Sequence, residues 1–351
     1  MDMIGLWDTT GIEVVKALAN ERRSAGGLTS GLALTLIAVV DERQVREAEA
    51  AATIAASAHP CRLLIIVRAD VTQQRSRLDA EIVVGGRLGP CEAVVMRMQG
   101  RLALHAESVV MPLLAPDVPV VTWWQCTPPE RIAYDPLGVV ADRRITDSAQ
   151  AEDPVAALRV RSDDYVPGDT DLAWSRITPW RTLLAGAFDA NRVGVRAATV
   201  VAPEHDPTAL LLGGWLEARL GVHPTRRSGS GRIMEAVELQ LEDGNEMKLT
   251  RDLNAGVATL QRTGQPDRIL PLTRRPLGDE LAEELRRLDP DQPYAAALAA
   301  GTGKRRLDER TAPRVHIWKD PALAERPEAS AAASLAPAPE PAALVEEHVA
   351  S

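Results

Sequence analysis

Aromatic residues are scarce in this chain: they make up 3% of 351 residues, and the few present are one Phe and three Tyr beside seven Trp. The core must therefore rest on Leu, Val, Ile and Ala, which raises the question of where the Trp stand. Cysteine is nearly absent as well. Cys61, Cys91 and Cys126 are an odd number with no CxxC pair, which excludes a disulfide framework and a metal-finger spacing and fits a reducing compartment. No long apolar run exists either. The longest clean stretch, residues 31–40, is far short of the roughly 20 residues that cross a bilayer. The first residues carry Asp2 and Asp8 and no basic segment followed by an apolar core, so no secretory signal is expected and the cytoplasm is the default. Positive charge is not in excess: 40 basic against 49 acidic residues give −9, which argues against a nucleic-acid binder needing a basic face. Residues 321–351 hold 11 Ala and 5 Pro with no aromatic, too little apolar area to offset ordering, so 305–351 is expected as a disordered tail.

Catalytic constellations are missing in the same way. There is no G-x-x-x-x-G-K-[ST] loop, and Gly229-Ser230-Gly231 lacks the third glycine of a dinucleotide fingerprint, since Met234 stands there. No Ser lies in G-x-S-x-G and no His pair has metalloprotease spacing. No metal site, cofactor or catalytic residue is assigned. Arg226, Arg227 and Arg232 around that Gly/Ser loop form a candidate anion site, set against a solvated loop. Cys61 and Cys91, each after a Pro at the start of an expected strand, could form a thiol switch if neighbours, or be buried reduced thiols.

What is present is an α/β pattern. Apolar spacing predicts a helix over 8–25, a strand over 29–40, a helix over 42–57 and a strand over 63–67, a unit that normally makes a parallel pair. Strands over 80–84 and 92–98, separated by glycines, predict an antiparallel excursion, followed by a helix over 101–114 and strands over 118–123 and 139–145. Residues 149–178 are rich in Asp, Pro and Gly and read as an inter-domain connection. Beyond it come a helix over 180–189, a strand over 193–201, a helix over 206–220 stopped by Gly221, and short strands over 234–241, 246–253 and 257–262, with Asp243-Gly244 as a hairpin signal. Helices over 277–288 and 293–300 follow. The expectation is an α/β protein with mixed parallel and antiparallel sheets flanked by helices, in an N-terminal domain (1–148), a connection (149–178) and a C-terminal domain (179–304).

Eight of the eleven aromatics fall between Trp123 and Trp215, near the expected junction. Trp123 and Trp124 end a strand on opposite faces, so at least one is expected at a sheet surface or rim. Trp174, Arg176, Trp180 and Arg181 lie in one eleven-residue segment, and Trp and Arg dominate binding hot spots. With Asp142, Arg143 and Arg144 they are expected to form either a partner-binding surface or the junction between domains, with a ligand-lined cleft as a third option.

The segments H-P-C-R-L-L-I (59–65), P-D-V-P-V-V-T-W-W (116–124), D-R-R-I-T-D-S (142–148) and D-L-A-W-S-R-I-T-P-W-R (171–181) together resemble the OpcA family of bacterial glucose-6-phosphate dehydrogenase assembly proteins. The resemblance covers roughly residues 1–300. It implies a non-catalytic partner of that NADP-dependent dehydrogenase in the oxidative pentose phosphate pathway, promoting its assembly or activation, which in photosynthetic relatives is associated with thiol redox state. The rival expectation is an independent enzyme or sugar-phosphate or nucleotide binding protein using an Arg-lined anion site.

Overall fold

The structure, a computed structural model, describes residues 3–24, 31–84, 92–188 and 193–311. A short strand, β1 (Ile4–Leu6), precedes helix α1 (Gly11–Ser24), which buries Val14 and Leu18 at helical spacing. β2 (Leu34–Val40), α2 (Val45–Ala58) and β3 (Cys61–Arg68) then form the expected unit, with β2 and β3 parallel. Every residue of β2 is buried, as in a strand covered on both faces. β4 (Arg77–Val84) and β5 (Glu92–Gln99) pair antiparallel, and β5 lies parallel to β3. The helix expected over 101–114 is corrected to α3 (Ala106–Val110) between 3-10 turns at 100–105 and 111–113. Pro112 lacks the N–H that a continuing α-helix would use.

β6 (Val120–Trp124), α4 (Pro136–Val139) and β7 (Arg143–Thr146) extend the sheet on the other side of β2. Residues 149–178 are more regular than their composition suggests. They hold α5 (Pro154–Asp164), β8 (Asp169–Asp171) and α6 (Leu172–Arg176), and β8 pairs with β7 at the sheet edge. The Asp and Pro residues that look like loop mark helix starts instead: Asp153 caps α5 with Pro154 at its first position, and Asp171 caps α6. The first sheet runs β1-β4-β5-β3-β2-β6-β7-β8.

After α7 (Thr178–Phe188) come β9 (Val195–Ala202), α8 (Pro207–Leu220) and β10 (Thr225–Ser228), with β10 parallel to β9. β10 escapes a pattern-based reading because all four of its residues are exposed. An antiparallel meander follows: β11 (Ala236–Leu241), β12 (Glu246–Asp252), β13 (Val257–Arg262) and β14 (Gln265–Pro271). Gly244, at φ +83°, supplies the left-handed residue of the expected hairpin turn. The second sheet runs β10-β9-β11-β12-β13-β14, and α9 (Leu277–Leu285) and α10 (Gln292–Thr302) close the fold.

α9 follows the second sheet in sequence but packs on α2 of the first, with Leu281 and Leu285 in the core beside Ala51, Ala55, Leu36 and Trp123. A glycine at the start of α9 permits this approach: a Cβ on Gly278 would stand 2.5 Å from Ile54 Cβ and 2.9 Å from the Ala51 carbonyl oxygen. The opposite face of the first sheet packs on α1 and α3, and the second sheet packs on α5, α7, α8 and α10. All described residues lie in one compact unit spanning 1–316. Cys91 and most of the expected tail, from 312 on, lie outside the described residues. Among the described residues no helix is long and apolar enough to cross a membrane.

Candidate functional site

The segment from β8 to α7 forms a buried polar seam with α9. Asp171, at the end of β8, accepts from Thr146 Oγ1 (2.7 Å), from Ser148 N and Oγ (2.9 Å each) and from Ala173 N (2.9 Å), joining β7 to the first turn of α6. Burial, then the charge of nearby Asp147, lifts its carboxyl to about 6 despite those four donors. Arg176 donates to both oxygens of Asp147 (2.5 and 2.8 Å), and its Nε lies 2.9 Å from Glu280 on α9. Burial disfavours its charge but the two carboxylates outweigh that, so its pKa is raised. Arg143, from β7, donates to Glu284 on α9 at 2.5 Å, and the other Glu284 oxygen accepts from Ser175 Oγ at 2.6 Å. Arg275 completes the seam by donating to Glu283 (2.5 Å) and to the Ser175 carbonyl (2.7 Å).

The Trp residues belong to this packing. Trp174 is 2% exposed, donates Nε1–H to Asp291 (2.8 Å), stacks tilted against Tyr294 and carries the Arg181 guanidinium 3.5 Å above its ring. Trp180 is buried beneath Arg251, 5.0 Å from its ring centroid. Trp123 and Trp124 do point to opposite faces, but neither reaches a surface, because helices cover both faces at β6. Asp142 accepts from Val120 N (2.9 Å), and Arg144 is enclosed against Asp169 and the carbonyls of Ala141 and Pro167. The structure therefore brings Arg143, Trp174, Arg176, Trp180 and Arg181 together at the seam between the sheets and leaves Trp123, Trp124, Asp142 and Arg144 as internal braces of the first sheet. None of the four Trp offers a free face to a partner.

The candidate anion residues separate. Arg226 donates to the Glu204 carbonyl (2.7 Å) and Arg227 pairs with Glu238 (2.7 Å) on the exposed edge of the second sheet. Arg232 instead lines a cavity of about 440 Å³ beside the seam, with Arg176, Arg251, Arg274, Arg275 and Trp180. Sequence reasoning missed Arg251, Arg274 and Arg275. The adjacent pair Arg274-Arg275 was the visible signal, but its convergence with Arg232 needs the meander to fold. At the end of β2, where a doubly wound sheet reverses strand order beside β6, the residues are Asp41, Glu42, Arg43 and Gln44, with no glycine to admit a phosphate, and the crevice holds about 130 Å³.

Cys61 is buried in the first-sheet core, and Cys126 is half-buried with its thiol pushed up to about 11 by burial and Asp41, which disfavours a reactive thiolate. Exposed large apolar side chains lie elsewhere: Ile269 stands on β14 of the second sheet and Leu253 just after β12, and four more gather near the N-terminal elements. Met3 and Trp7 flank the edge strand β1, Ile12 stands in the first turn of α1, and Met111 follows α3, against which α1 packs; Trp7 is 63% and Ile12 69% exposed.

Two domain models of one family match consecutive stretches of the chain: the glucose-6-phosphate dehydrogenase subunit N-terminal domain over residues 52–163 and its C-terminal domain over 167–298. The change from one to the other falls between the end of α5 and the start of β8. The protein named OpcA in Synechococcus elongatus is 29% identical over 224 residues, covering 60% of this chain and 47% of that protein. The OpcA of a Synechocystis species is 26% identical over 265 residues, covering 71% and 53%. Both are named for the OxPP cycle, and the chain spans about half the length of each. Among solved structures, a 3-ketoreductase from Actinomadura kijaniata shares 11% identity at a TM-score of 0.43, over 81% of this chain and 98% of that one, a likeness too loose to speak for chemistry.

Proposed function

The chain belongs to the OpcA family of glucose-6-phosphate dehydrogenase subunit proteins, and on that premise we propose that it is a non-catalytic partner that binds the dehydrogenase and favours its active assembled form. The observation that carries this reading is the succession of both family domains along a chain whose described parts share one compact unit. An activator of this kind must bind the active form more tightly than the inactive one, by about 1.4 kcal/mol for each tenfold shift in the equilibrium. That differential needs a body that holds its shape, and the seam supplies one: three Arg–carboxylate pairs tie β7, α6 and the connection before α9 to α9 itself.

With the four central Trp inside, docking falls to the outer surface, and the apolar group at Met3, Trp7, Ile12 and Met111 is our choice for it. Trp is the residue type most enriched among interface anchors, and a truncated anchor costs about 2 kcal/mol or more. Size-exclusion chromatography with light scattering on the chain mixed with its cognate dehydrogenase should show a complex. Trp7→Ala with Ile12→Ala, both exposed and so neutral for folding, should weaken it about tenfold or more. Absence of any complex refutes the partnership; an unchanged complex in the double variant moves the interface away from β1 and α1.

A further inference from the structure

The cavity beside the seam keeps a surplus of positive charge after every pair has been counted. Five Arg line it, against Asp206 and Glu280. Arg176 is neutralised by Asp147 and Glu280, and Arg275 by Glu283. Asp206 caps α8, accepting from Thr208 N and Oγ1 and from Ala209 N, and acts on Arg251 from a distance without forming an ion pair, so it offsets part of the charge of the remaining arginines. That leaves Arg232, Arg251 and Arg274, for none of which a carboxylate stands within ion-pair distance among the described residues. Arg251 is half-buried over Trp180, and its Nε is enclosed with no hydrogen-bond partner. Burial works most strongly against its charge, the Asp206 carboxylate offsets part of that, and Arg274 nearby adds to it, so the net shift is downward. A guanidinium does not escape such a site by losing its proton, so the cost stays until an anion enters.

The rest of the wall indicates what kind of anion. A volume of about 440 Å³ is within the range of small-molecule sites, roughly 300 to 1,000 Å³. Trp180, Pro203, Pro207, Ile233 and Met234 give it an apolar side able to take an organic body. Guanidinium forks match phosphate oxygens two at a time, and a phosphate monoester carries roughly −1.5 to −2 at neutral pH, enough to answer most of three cations. A chain of net charge −9 has no general attraction for anions, so this concave patch runs against the sign of the whole molecule. We infer that the cavity is a binding site for a small phosphate monoester, gripped by Arg232, Arg251 and Arg274 with its organic part against Trp180. This goes beyond the dehydrogenase partnership and does not depend on it.

The test is calorimetric titration of the full chain, alone, with glucose 6-phosphate, AMP, inorganic phosphate and uncharged glucose. At least one of the two monoesters should saturate a single site more tightly than inorganic phosphate, and glucose should give no binding. A preference for glucose 6-phosphate supports a sugar phosphate as the occupant, and a preference for AMP supports a nucleotide. Arg232→Gln with Arg274→Gln, both exposed positions, should weaken the monoester at least tenfold without changing the circular-dichroism spectrum, and Arg251→Gln should do the same alone. No saturable binding up to millimolar monoester, equal binding of inorganic phosphate, or undiminished binding in the Arg232/Arg274 variant would overturn the site. Because the dehydrogenase is absent from the measurement, its failure leaves the partnership standing.

Discussion

Asp171 shows how one side chain holds two parts of the chain together: its two oxygens take four donors from β7, the residues after it and α6. Replacing it by Asn puts an amide N–H against two of those donors. Chemical denaturation should show a loss of about 1–3 kcal/mol, the usual consequence of stranding buried polar groups. The pH dependence follows from the direction of its shift. The folded value of about 6 lies above the ordinary Asp value of 3.8, so between these values the folded state holds more protons than the unfolded one. Its contribution to stability therefore declines as pH rises through that window and is constant above it. Denaturation midpoints measured from about pH 4 to about pH 7 should fall less steeply in Asp171→Asn than in the wild type; an identical slope would show that Asp171 is ionised throughout. At this scale Trp174, Arg176, Trp180 and Arg181 stand out in the sequence by residue type alone. Their burial was not legible, because the partners that enclose them, such as Glu284 for Arg143 and Asp291 for Trp174, lie more than a hundred residues away.

Among the elements, α8 and α10 make the tightest pair. Gly214 on α8 faces the Ala297 carbonyl, where an added Cβ would stand 2.0 Å from the oxygen, and Gly301 on α10 meets the Leu210 carbonyl at 2.8 Å. Gly213, one residue away, has nothing within 4 Å. The two neighbours should respond with opposite signs: Gly214→Ala should lower stability by about 1–3 kcal/mol through overpacking, and Gly213→Ala should raise it by about 0.5–1 kcal/mol through helix propensity. Thermal melts of the two variants decide this, and equal effects would mean that the helices are not in backbone contact. The ends of α8 were readable in advance from Asp206-Pro207 and from Gly221, which takes φ +69°. The closeness of its packing was not, since two adjacent glycines in one helix look alike until a second helix is laid against one of them. The same holds for 149–178, whose Asp caps and Pro154 resemble loop punctuation unless the apolar positions between them find a core.

At the scale of the whole molecule, net charge and mean composition average over the feature that distinguishes this chain. Some arginines are locked to carboxylates at the seam, and three others line one cavity beside it. The fold class was legible because periods of two and of about 3.6 residues survive averaging, and the family was legible because four segments carry its wording. The face that meets a partner was not, because the conspicuous Trp turn inward and the exposed Trp7 lies far from them in sequence, beside the first strand. The central claim, a partner that favours the active dehydrogenase, is tested most directly by titrating the chain into its cognate dehydrogenase at fixed subsaturating substrate and following the rate of NADPH formation. A saturable rise in rate that breaks at a fixed ratio of the two proteins is expected; a rate that stays flat to a large excess of the chain would contradict the partnership.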